Sequence, residues 1–81
     1  MTKPLTYNQI QAHDHFEFSP AAWAVIEETD PDPISDLSKV KDGRLTHEKL
    51  LAICLDGADN DRRKGWEDYV YEISRQADLT R

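Results

Sequence analysis

Cysteine is nearly absent: Cys54 is the single one among 81 residues. No internal disulfide can form, so packing alone must hold the fold, and a reducing cytoplasm is the expected setting. Cys54 lies within an apolar run, which predicts a small buried hydrophobe rather than a reactive thiol. Glycine is scarce too, with three residues, too few to build a loop that cradles phosphate. No nucleophile elbow and no catalytic histidine spacing is present. No stretch reaches the ~18 apolar residues that cross a bilayer, and the opening MTKPLTYNQ has no signal-peptide apolar core. These absences predict a cytoplasmic, non-enzymatic chain with no cofactor, no catalytic residue, no metal site and no membrane partner.

Acid is what the chain has in excess. Sixteen acidic and ten basic residues give a net charge of −6. Most of the imbalance lies in residues 1–40, where seven acids face Lys3 and Lys39 (net −5), against nine acids and eight bases in residues 41–81 (net −1). Such a chain is repelled by free nucleic acid and by anionic membrane, so the expected partner is another protein with a basic surface. The apolar fraction of 38% is low but includes seven aromatic residues spread along the chain, which argues for a folded domain rather than disorder.

Local signals place four to five short helices in one small all-α domain over residues 1–81, with residues 1–5 as a loose arm and 79–81 frayed. Thr6 and Gln9 have capping-box spacing for a helix from Tyr7 to His13. That helix would share Tyr7 and Ile10 on one face, stapled by Leu5. Phe16 and Phe18 in HDHFEF read as a brief extended segment or as two anchoring rings. Ser19-Pro20 starts a helix over Pro20–Glu28 with Ala22, Val25 and Ile26 inward and Trp23 on its flank. Asp32-Pro33 starts the next, with Ile34, Leu37 and Val40 as its stripe. Thr46–Gly57, THEKLLAICLDG, is apolar around most of its circumference. That predicts the central helix, near 46–56, with Leu50 and Ile53 both in the core. The last helix, from Asp61 toward Ala77, has the clearest stripe: Trp66, Val70, Ile73 and Ala77.

Weak constellations complete the inventory. The loop around Asp42-Gly43 resembles half of an EF-hand, but Val40 and Lys49 stand where ligands are required. His13, Asp14, His15 and Glu17 crowd together without enough ligands for a metal. Arg62, Arg63 and Lys64 open the last helix and, with residues 46–77 read as helix-turn-helix, define an alternative as a small DNA-binding regulator. The leading candidate is the acidic ridge Glu27, Glu28, Asp30, Asp32 and Asp36, stiffened by Pro31 and Pro33, with Trp23 and Tyr71 as aromatic anchors. The expected function is an acidic protein–protein interaction module. Its size and charge suit an inhibitor of the phage or mobile-element type that covers a partner's nucleic-acid-binding surface.

Overall fold

The first four predicted helix starts are present and made by the residues that predicted them, and the last helix begins at Asn60, one residue before the expected Asp61. A computed structural model describes residues 4–79 and contains five helices: α1 (Tyr7–His15), α2 (Pro20–Thr29), α3 (Pro33–Lys41), α4 (His47–Leu55) and α5 (Asn60–Leu79). Strand is absent among the described residues. In the capping box before α1, the Gln9 N–H donates to Thr6 Oγ1 at 3.2 Å and the Thr6 N–H to Gln9 Oε1 at 3.0 Å. Ser19, Asp32 and Thr46 cap α2, α3 and α4 by accepting from the backbone N–H of Ala22, Ser35 and Lys49. Each such cap is worth ~1 kcal/mol of helix stability. The radius of gyration, 11.9 Å, equals the value of about 12 Å for a single compact body of this length. Of the loose arm, residues 1–3 lie outside the described region. So do residues 80 and 81 of the frayed end, while Leu79 is still in α5.

The centre of the fold is α5, not the helix near 46–56. α2, α3 and α4 all pack against α5. Its inner face buries Trp66, Tyr69, Val70, Ile73 and Ala77 together with Gly65 and Glu72. α4 buries Leu50 alone. Ile53 is 64% exposed, and Leu51, Cys54 and Leu55 are half-buried. The twenty-residue α5 presents its stripe to α2, α3 and α4 at once, whereas the nine-residue α4 packs chiefly on α5.

Two further expectations change. Tyr7 and Ile10 face outward, 72% and 53% exposed, and α1 instead buries Gln9 and Ala12. Gln9 Nε2 donates to the Ile26 carbonyl at 2.8 Å, which lets a polar residue take the inward position. Phe16 and Phe18 are the anchoring rings of the α1–α2 connection, not a strand. They are buried, stacked on each other with centroids 5.0 Å apart, and Phe18 stacks on Tyr69 at 5.3 Å.

α2 and α5 run antiparallel. Ser19 Oγ donates to Asp68 at 2.7 Å near one end, and Arg62 Nε donates to Glu28 at 2.7 Å near the other. Between them the helices nearly touch backbone to backbone. A Cβ on Gly65 would lie 2.4 Å from the Ala21 carbonyl oxygen and 2.7 Å from Val25 Cγ1. Alanine gains ~1 kcal/mol of helix propensity over glycine, but backbone cannot yield as a side chain can, and overpacking costs ~1–3 kcal/mol or more.

Gly65→Ala is therefore expected to lower the melting temperature by several degrees, as read by thermal circular dichroism. Leu50→Ala should cost ~2–5 kcal/mol. Ile53→Ala, at an exposed position, should stay within ~0.5 kcal/mol. Equal losses at positions 50 and 53 would return α4 to the core.

Candidate functional site

The five carboxylates of the acidic ridge have unequal tasks. Asp32 Oδ1 caps α3, accepting from the Ser35 N–H at 3.0 Å. Asp36 turns inward, where Tyr69 Oη donates to Asp36 Oδ2 at 2.5 Å. Glu28 pairs with Arg62. Glu27 and Asp30 are exposed and make no ion pair among the described residues. Asp30 also closes α2 in the left-handed region, at φ 55 and ψ 50, the one non-glycine residue with positive φ among those described. Aspartate tolerates that region better than most residues but is still strained there. Pro31 and the buried Pro33 hold the turn on either side of Asp32.

The two aromatic anchors do not join the ridge as one patch. Trp23 lies on the face of α2 shared with Glu27, four residues on. One side of its indole is covered by His13, stacked at 3.9 Å and 12°, and its edge meets Phe18 at 5.2 Å. Tyr71 is 65% exposed on α5. It stands nine residues beyond Arg62, the residue that touches the ridge, so about 13 Å along the helix axis.

The basic triplet of the regulator reading is occupied. Arg62 meets Glu28 at 2.7 Å and Asp59 at 3.3 Å; Arg63 meets Glu67 at 2.9 Å; Lys64 meets Asp68 at 2.9 Å. The Ser19 hydroxyl, and after it the Lys64 ammonium, beside Asp68 hold its carboxyl below the usual range. In the EF-hand-like loop, Gly43 does take a left-handed turn at φ 78. Asp42, however, is spent on the Arg44 guanidinium at 2.7 Å, which lowers its pKa. No group of three or more potential metal-ligating side chains converges among the described residues.

Sequence reasoning missed a cleft of about 520 Å³ between the α2–α3 turn, α4 and the start of α5. Leu50 and Trp66 form its buried floor and Ile53 its open wall, while Glu28, Asp32, Asp36 and Asp56 supply four carboxylates against Lys39 and Arg62. The available signal was the apolar excess of α4. A short helix that is apolar all round but not central must leave part of that surface open. Cys54 lines the cleft, its pKa pushed up to about 12 by burial and by the charge of Asp36. A thiol held protonated in this way is a poor nucleophile.

The buried Glu72 and the half-buried Asp36 behave oppositely. Glu72, 3% exposed, accepts from the Glu17 N–H at 3.1 Å, from Gln76 at 3.2 Å and from Arg75. Burial pushes its pKa up, but these donors outweigh burial and leave it below the usual value of 4.5. Burial dominates at Asp36, so its pKa lies above the usual 3.8 despite the Tyr69 donor.

No family model, curated protein or solved structure matches the chain. No described helix is long and apolar enough to cross a membrane.

The two acids should leave opposite marks on stability. A depressed folded pKa gives Glu72 a stabilising contribution above its unfolded pKa that is lost as pH falls through the folded value. Glu72→Gln should thus cost ~1–3 kcal/mol at pH 7 and progressively less toward acid. A raised folded pKa means that ionising Asp36 destabilises the fold as pH rises through its titration. Asp36→Asn keeps an acceptor for Tyr69 and should flatten that part of the profile. Urea unfolding across the carboxylate titration range reads both effects.

Proposed function

We propose that the chain is a non-enzymatic interaction module that presents the acidic α2–α3 turn to a basic surface of another protein. The observation that carries this reading is Asp30. A carboxylate occupies a left-handed helix end, where glycine would be unstrained. Strain at a non-glycine residue in this region is ~1–3 kcal/mol, at the low end for aspartate, against the ~0.4–1 kcal/mol by which glycine loosens the unfolded chain. A charge kept at the expense of stability serves something other than the fold. Glu27 supports the same view, being unpaired in the last turn of α2, where the helix dipole disfavours an anion. In its finer form the module is an inhibitor of the phage or mobile-element type, acting in the cytoplasm by laying carboxylates where a partner's nucleic-acid phosphates would sit. The DNA-binding alternative has less support, since Arg62, Arg63 and Lys64 are each already paired with a carboxylate.

Charge reversal must spare the structural acids. Glu27→Lys with Asp30→Lys is expected to reduce partner capture from a native lysate tenfold or more at low salt, with a smaller difference at high salt. Capture that does not change would remove the ridge from the interface. Asp30→Gly should raise the melting temperature while weakening capture. A glycine variant that is less stable would show that Asp30 is there for the fold.

A further inference from the structure

We propose that the cleft between the α2–α3 turn, α4 and the start of α5 is the docking site for a partner-protein segment in which an aliphatic side chain is flanked by lysine or arginine. The proposal rests on the interaction-module reading and names the subsite and the chemistry of what enters it. Three features converge there. The first is an apolar surface that the fold leaves open. Ile53 is 64% exposed on the cleft wall above the buried Leu50 and Trp66, with Leu45, Cys54 and Ala58 half-buried around them. The second is size. A volume of about 520 Å³ falls within the ~300–1,000 Å³ of ordinary binding pockets and admits a side chain with its flanks.

The third is charge complementarity. Four carboxylates against two cations leave the lining at −2. Arg62 is already held by Glu28 and by Asp59, so it does not neutralise the other acids. Asp32 uses Oδ1 for its cap, and Asp56 is exposed with no ion pair among the described residues. An aliphatic group seated against Ile53 and Leu45 would place neighbouring ammonium or guanidinium groups at the mouth, beside Asp32 and Asp56. An anionic ligand would be repelled there. The cleft is also continuous with the ridge, because Glu28, Pro31 and Asp32 belong to both. One basic, partly apolar segment can therefore cross from the turn into the cleft.

The test uses the whole chain, isotope-labelled, titrated with a synthetic leucine–lysine peptide of about four helical turns and, separately, with its leucine–glutamate counterpart. Saturable amide shifts centred on residues 45–58 with the lysine peptide, and none with the glutamate peptide, are expected. Ile53→Asp should weaken binding tenfold or more with little change in melting temperature, because the position is exposed. Glu27→Lys, outside the cleft, should have a smaller effect. Several results would overturn the proposal. Shifts confined to Glu27 and Asp30 with a silent cleft would leave the acidic module standing without this subsite. No binding of the lysine peptide anywhere, even at low salt, would remove both. Equal affinity of Ile53→Asp and the parent chain would reduce the effect to counter-ion attraction. Cleft shifts that grow with protein concentration alone, with a dimer mass, would assign the surface to a second copy of the chain.

Discussion

The near contact between the backbones of α2 and α5 sets the geometry of everything else. At Gly65 there is no side chain to hold the helices apart. α5 therefore sinks onto α2 until Val25 and the Ala21 carbonyl meet its backbone. The close approach brings Tyr69 under Phe18 and lets Ser19 and Glu28 reach Asp68 and Arg62. With one face of α5 so occupied, α3 and α4 take what remains of its circumference. In a chain of 81 residues, such density in one helix compensates for a thin core.

The acid excess divides into two populations. Some carboxylates belong to the architecture: Asp32 at a cap, Asp36 beneath Tyr69, Asp68 between Ser19 and Lys64, and Glu72 among three donors. Others, Glu27 and Asp30 foremost, stand in water beside a strained turn. Net charge does not separate the two kinds. The second kind also includes Asp14, Glu48 and Asp56, exposed and without an ion pair among the described residues, but Glu27 and Asp30 are the ones that flank the turn. The basic residues divide less evenly, since the arginines and lysine that open α5 are already matched to carboxylates nearby.

Much of the fold was legible because caps are local. Thr6 with Gln9, Ser19 with Pro20, Asp32 with Pro33, and Thr46 each act within four residues, and each is where the sequence places it. What was not legible depends on contacts far along the chain. Apolar content made α4 look central, but centrality follows from how many neighbours a helix can reach. Gly65 reads as a flaw in a helix until Ala21, forty-four positions away, is set beside it. For the same reason the ridge looked like five equivalent charges. The Tyr69 hydroxyl that engages Asp36 comes from another helix, and only geometry brings them together. The cleft, lined by residues of α2, α3, α4 and α5, has no signature in any one of them beyond the surplus apolar surface of α4.

Gln9 has a consequence for how the molecule opens. Its amide spans two duties, closing the cap of α1 with its oxygen and reaching the Ile26 carbonyl with its nitrogen. α1 holds the body through that amide, Ala12, the His13 ring stacked on Trp23, the rings that follow and its packing on α3, while Leu5, Tyr7 and Ile10 face solvent. With these apolar side chains left in water, α1 is expected to have a lower free energy of local opening than α5. Amide hydrogens in α1 are therefore expected to exchange through local opening before those of α5, which would give two tiers of protection within one small domain.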